Sequence, residues 1–168
     1  METPLNGPDV GPPTLERIRR APKVLLHDHL DGGLRPSTII ELADETGYPD
    51  LPTTDADELA AWMLRGANRK DLTLYLETFA HTVGVMQTAP AIERVARECA
   101  EDLAADGVVY AEIRFAPELH TEHGLSLDEV IESVIAGFDA GSAGTDLTIR
   151  IICSAMRHLD RGLEVAQA

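Results

Sequence analysis

The stretch Lys23–Leu30, KVLLHDHL, is an apolar run that carries polar groups only at its end, and Asp31-Gly32-Gly33 breaks it. Two consecutive glycines suit a tight turn, so the run reads as a strand that stops at its charged end. Working outward, two further strand candidates follow: Val108–Phe115 (VVYAEIRF), which starts directly after the helix stop at Gly107, and Thr148–Met156 (TIRIICSAM). Helical patterns fill the spaces between them. Pro36 fits the first turn of a helix with Ile39, Ile40, Leu42 and Ala43 on its apolar face and Gly47 at its end. Asp55–Leu64 predicts a short helix, with Asp57 and Glu58 near the positive end of its dipole. Leu72, Tyr75, Leu76 and Phe79 follow the i, i+3, i+4, i+7 spacing of one helix face, and by spacing alone that stripe is core. A long helix is expected from Pro90 to Asp106, capped by Thr88 and buried along Ile92, Val95, Ala96, Cys99 and Leu103. Ser126 and Glu129 form a capping box that opens another helix, and Gly141–Gly144 reads as a loop. A short turn near Leu15–Arg20 and a last helix from about Asp160 complete the pattern.

Strands that alternate with helices imply an α/β fold of parallel βαβ units with right-handed crossovers. A doubly wound sheet and a (β/α)8 barrel both satisfy that order. No GxGxxG or P-loop follows the first strand, which disfavours a nucleotide-binding doubly wound sheet. Polar residues gather instead at the C-terminal ends of the strands: His27, Asp28 and His29, then Glu112 and Arg114, then Arg157 and His158. Barrel enzymes place their chemistry there. The expected architecture is therefore a partial (β/α)8 TIM-type barrel, its first three parallel strands with their helices. A complete barrel takes about 250 residues, and this chain has 168. The expectation is an N-terminal arm over 1–13, rich in Pro and Gly, and over 14–168 the N-terminal part of a longer, incomplete barrel.

Composition narrows the function. Lys plus Arg is 14 and Asp plus Glu is 29, a formal net charge of -15. Such a surface repels phosphate backbones and anionic lipid, which argues against nucleic-acid or membrane partners. It suits an enzyme acting on a neutral small molecule. Neither an apolar h-region nor a run of about 20 apolar residues is present, so a cytoplasmic location is the default. Cys99 and Cys153, far apart and flanked by apolar residues, read as reduced core thiols. Oligomeric state is left open.

The motif that carries chemistry is His27-Asp28-His29. Side chains alternate along a strand, so His27 and His29 share a face and can share a metal ion, with Asp28 pointing away. Neutral imidazole suits zinc, which lowers the pKa of a bound water to near 7 and so supplies a nucleophile at neutral pH. The bland alternative is two unrelated histidines, one stacked and one solvated. His81, His120, His123 and His158 are isolated and read as solvated or core histidines. Arg114 and Arg157 read as ion-pair partners of Glu112 and other carboxylates at the mouth, and Met156 as core or pocket wall.

Pro22–Gly33 (PKVLLHDHLDGG) closely resembles the opening strand of adenosine deaminases, within the metal-dependent amidohydrolase superfamily. Gly107–Pro117 (GVVYAEIRFAP) resembles that family's second strand, and Cys153–His158 (CSAMRH) the end of its third. The resemblance implies a (β/α)8 barrel that deaminates adenosine hydrolytically to inosine and ammonia in purine salvage. It implies Zn2+ as cofactor, with His27 and His29 as two of its ligands. It places His29 against the bound nucleoside and Asp31 on the ribose 5'-hydroxyl, where a carboxylate also disfavours a 5'-phosphate. It makes Leu72, Tyr75, Leu76 and Phe79 an apolar gate over the substrate. The family's remaining zinc ligands and proton-transfer groups lie on later strands, so no catalytic acid or base is identified in this chain, and these are expected after Ala168. Two alternatives stay open: a sister deaminase acting on adenine or another aminopurine nucleoside, and a non-catalytic fragment.

Overall fold

The computed structural model describes residues 12–168 except Arg69, and residues 72–74 by their backbone alone. The expected N-terminal arm falls almost entirely outside the described residues. The elements run α1 (Leu15–Arg20), β1 (Lys23–His29), α2 (Pro36–Thr46), α3 (Ala56–Asn68), α4 (Leu72–Val85), α5 (Ala89–Ala105), β2 (Val108–Phe115), α6 (Leu127–Ser142), β3 (Thr148–Cys153) and α7 (Gly162–Gln167). One-turn 3₁₀ segments, Leu30–Gly32 and Pro117–His120, leave the ends of β1 and β2.

The sheet is parallel throughout, in the order β1-β2-β3, and it is not closed. This is the partial TIM-type α/β arrangement that the alternation predicts. One face is packed under helices: Ala111, Ile113 and Phe115 are 0–1% exposed, and the core continues through Ile39, Leu42, Ile92, Val95 and Val134. Burying a side chain the size of Phe115 or Ile113 is worth about 1.5–3 kcal/mol. The other face is open, with Val24 61% and Leu26 60% exposed.

The caps follow their residues. Thr88 accepts from the Ala91 amide, and the Ser126–Glu129 capping box is complete in both directions. Gly47 closes α2 with a left-handed φ of 71°, a conformation that costs glycine no Cβ clash. Arg35 makes a two-pronged pair with Asp102 at 2.9 and 2.6 Å, and Arg94 reaches Glu41 at 2.5 Å, so α2 is tied to α5 by charge as well as by packing.

Four boundaries depart from the sequence reading. Gly141 is not in a loop, because α6 runs on to Ser142. A Cβ at Gly137 or Gly141 would lie 2.3 Å from the backbone oxygen of Glu93 or Arg97, so both glycines are what lets α6 press against α5. The last strand ends at Cys153 instead of Met156, because Ser154 onward turns across the end of β2. The second described helix after β1 extends to Asn68, and α7 starts at Gly162. Of the two free thiols, Cys99 fits the core reading, with burial pushing its pKa up to about 12, whereas Cys153 is exposed.

Candidate active site

The end of β1 is not a regular strand. Leu25 pairs with Ala111 and Asp28 with Ile113, so three steps on β1 are matched by two on β2. The extra residue makes a β-bulge, and His27 takes up the strain with a φ of 59°, rare for a side-chain-bearing residue. The bulge changes which residues look which way. Val24 and Leu26 lie on the open face, and so does His27. Asp28 aligns with Ile113 on the helix-covered face, near enough to Cys99 of α5 for its charge to raise that thiol further. His29, paired with Arg114, returns to the open face. The two imidazoles stand side by side, with ring centroids 5.6 Å apart. The pairing of His27 with His29 and the outward turn of Asp28 match the alternation that the sequence reading expects, and the bulge sets which face of the sheet the two imidazoles take.

Around His29 the site is crowded. The guanidinium of Arg114 lies against its ring, Nη1 3.1 Å from Nε2 and 3.4 Å from Nδ1, while Arg114 Nε donates to Ser154 Oγ at 3.2 Å. Arg114 therefore does not pair with Glu112, which instead accepts from the Tyr110 hydroxyl at 3.1 Å. The register sets this outcome, since it puts His29 directly beside Arg114. Asp31, 7% exposed, brings Oδ1 to 3.6 Å from His29 Nδ1, an ion-pair distance that is too long for a hydrogen bond. Phe79 meets the ring of His29 edge-on at 6.1 Å, and Tyr75 meets Phe79 at 5.3 Å.

These groups line one cleft of about 460 Å³, in which His29, Asp31, Tyr75, Leu76, Phe79 and Arg114 share walls with Met156. Tyr75 is 38% and Leu76 53% exposed, so the stripe is not the core that its spacing alone predicts: it faces the cleft. The side chain of Leu72 lies outside the described residues. A Cβ at Gly32 would make ordinary van der Waals contact with His29 Cβ at 3.4 Å and the Phe79 ring at 3.5 Å, so this glycine packs between the two rings. A second cleft, about 380 Å³, lies behind Tyr75 and Phe79 and carries no imidazole.

The donor set fits part of a zinc shell. Two neighbouring imidazoles suit two corners of the ion's tetrahedron. Among the described residues no group of three or more His, Cys, Asp or Glu is placed to hold a metal ion.

Beside the cleft lie buried polar groups: Glu118 and Gln87, which the sequence reading did not single out, and His120, which it read as a solvated or core histidine and which is core. Glu118, 5% exposed, accepts the Met156 amide with Oε1 and so ties the turn after β2 to the segment after β3. Gln87, 1% exposed, donates to the carbonyls of Val83 and Leu119 and accepts the Glu122 amide at 3.0 Å. His120 is fully buried, with Nδ1 3.1 Å from the Met86 carbonyl. Burial holds its pKa below the ordinary histidine value, against the opposing pull of Asp31 and the Met86 hydrogen bond. Nothing in local spacing marks Glu118 or Gln87. Only the folded turn shows that they share a layer.

A parallel βαβ section with neighbouring histidines at the C-terminal end of its first strand, beside an aromatic-walled cleft, fits the metal-dependent amidohydrolase class. The adenosine deaminase family model matches residues 22–168, and the chain belongs to that family. It is 62% identical over 160 residues to the adenosine deaminase of Mycolicibacterium gilvum, covering 92% of this chain and 44% of that protein. It is 61% identical to adenosine deaminase 1 of Streptomyces coelicolor, covering 92% and 40%. The chain thus spans less than half the length of these curated relatives. Among solved structures it resembles the adenine deaminase of Arthrobacter aurescens, with a TM-score of 0.74 and 29% identity over 87% of this chain and 44% of that one. A cog1816 amidohydrolase from Burkholderia ambifaria with bound Zn shares the fold at a TM-score of 0.73, with 23% identity over 94% of this chain and 43% of that one. No helix among the described residues is long and apolar enough to cross a membrane.

Proposed function

We propose that residues 14–168 are the N-terminal part of a zinc-dependent enzyme that hydrolytically deaminates adenosine, and deoxyadenosine with it, to inosine and ammonia in the cytoplasm. The observation that carries this reading is the meeting of His29, Asp31 and the Phe79 edge on the wall of one cleft, with the His27 ring 5.6 Å from that of His29.

His27 and His29 would hold the ion, with further ligands from outside this chain. Zinc, when bound, supplies the Lewis acidity that brings the pKa of water to near 7. The chain's own residues do the positioning. His29 offers its ring to the nucleoside beside Phe79. Asp31 accepts the ribose 5'-hydroxyl, and its charge repels a 5'-phosphate. Tyr75, Leu76 and Phe79, with Leu72 proposed alongside them, exclude water from the purine, which strengthens every polar contact inside. The acidic surface leaves the uncharged nucleoside unhindered.

The second reading, an aminopurine base as substrate, draws on the likeness to an adenine deaminase structure. A free base has no ribose for Asp31 to hold, so Asp31 separates the two. In the full-length protein, His27→Ala and His29→Ala should each remove tightly held zinc and lower deamination by at least about a hundredfold. Metal analysis and the adenosine-to-inosine absorbance change read both, and wild-type zinc content in either variant would overturn the ligand assignment. Asp31→Ala should cost turnover of adenosine far more than turnover of 5'-deoxyadenosine, because a site built for a hydroxyl is left with a buried unpaired group. Equal losses would remove Asp31 from ribose recognition, and adenine turnover unaffected by the change would favour the second reading.

A further inference from the structure

Three buried side-chain atoms have no hydrogen-bond partner within the described protein: Asp31 Oδ1, Glu118 Oε2 and His120 Nε2. Glu118 is already anchored through its other oxygen, on the Met156 amide. Asp31 and His120 are the pair left to explain. They stand on the two one-turn segments that leave neighbouring strands at the same end of the sheet, where His29 lies beside Arg114. Asp31 is 7% exposed and His120 is at 0%, so neither atom turns to bulk water.

The hydrogen-bond chemistry is restrictive. The Met86 carbonyl can only accept, so His120 Nδ1, 3.1 Å away, carries the ring hydrogen. Nε2 of the neutral ring is then a bare acceptor. An ionised Asp31 carboxylate is also acceptor-only. Two acceptors cannot bond to each other, but both can be served by one molecule with two O–H groups. Buried polar groups are satisfied in this way by internal water, which takes two to four partners. The negative charge of Asp31 opposes the lowering of the His120 pKa by burial.

We propose that His120 is the positioning residue for Asp31, holding its carboxylate through one internal water that donates to His120 Nε2 and to Asp31 Oδ1. The Met86 carbonyl fixes the ring, the ring fixes the water, and the water fixes one carboxylate oxygen. The other oxygen is left to meet a hydroxyl in the cleft. The functional consequence rests on the reading of Asp31 as the ribose anchor, whereas the linkage itself does not.

The test is a cycle of His120→Asn, Asp31→Asn and the double variant. Asparagine at 120 keeps a donor near Nδ1 for Met86 and deletes Nε2. Melting temperatures are read for all four forms, and kcat and KM for adenosine and 5'-deoxyadenosine in the full-length protein. Coupled residues should give a double variant that melts no lower than the worse single one. His120→Asn should raise KM for adenosine roughly tenfold, with kcat and the 5'-deoxyadenosine constants nearly unchanged. His120→Gln, which returns an amide near the Nε2 position, should recover most of the loss. Additive melting losses, or KM rising equally on both nucleosides, would overturn the proposal. Coupled melting with a wild-type protein that does not distinguish the nucleosides would uphold the linkage and overturn the ribose reading of Asp31. If His120→Asn does not fold, imidazole ¹⁵N NMR of the wild type and Asp31→Asn decides. A hydrogen on Nδ1 and an Nε2 signal that moves with Asp31→Asn support the linkage, and a hydrogen on Nε2 or an unmoved signal overturns it.

Discussion

The two faces of the sheet obey different rules. On the helix-covered face, Ala111, Ile113 and Phe115 are sealed against α5 and α6, and each is fixed by the shape of its neighbours. On the open face, Val24 and Leu26 are mostly exposed, and the groups that matter are polar: His27, His29 and Arg114. The lesson is a division of labour within single strands. Alternate residues of β2 hold the fold or shape the cleft, and a substitution shows which by what it damages.

That contrast can be broken at its strongest point first. Gly137→Val should abolish native folding, because a Cβ there would lie 2.3 Å from the Glu93 carbonyl and 2.7 Å from Ala96 Cβ, and backbone cannot step aside. Circular dichroism and sedimentation would show it, and a cooperative melt near that of the wild type would refute the idea that α6 needs this contact. Next, Ile113→Ala should cost about 2–5 kcal/mol by the loss of a fully packed side chain, whereas Leu26→Ser on the open face should stay within about 0.5 kcal/mol. Urea denaturation of the two variants compares the faces directly, and equal losses would erase the distinction. The smallest effect concerns pH. Burial lowers the pKa of His120 and of His81, whose Nδ1 lies 3.0 Å from the Tyr48 hydroxyl. Below the ordinary value of 6.5 the unfolded chain then binds more protons than the folded one. Stability should be full above that value and fall as pH drops toward the folded-state values. Melting curves between pH 7 and 5 should show the decline, and His120→Asn should flatten part of it.

Much of this was legible beforehand, and for identifiable reasons. Parallel topology followed from the alternation of apolar runs with helical stripes. The Thr88 cap, the Ser126–Glu129 box and the limits of VVYAEIRF are local signals, and they hold in the structure. The adjacency of His27 and His29 was also expected. Three things were not legible. The bulge at His27 depends on pairing with a strand about 85 residues away, so no local pattern announces it. Gly141 looked like loop chemistry because a glycine chosen for close helix contact and one chosen for a turn are identical in sequence. Leu76 looked like core because spacing tells which residues share a face and not whether protein or an open cleft lies opposite.

The bulge at Leu26 and His27 has a consequence for how this strand can vary. It works as a phase shifter: the lower part of β1 keeps time with the sheet it packs in, and the rim keeps time with the cleft. Deleting Leu26 would leave two steps on β1 against two on β2, so the bulge would close while His27 stays on the open face and Asp28 and His29 keep Ile113 and Arg114 as partners. The lower strand could repack through ordinary apolar exchange without disturbing the rim. A one-residue deletion at Leu26 should therefore be better tolerated than one in the middle of β2, where the side chains beyond the cut would change face.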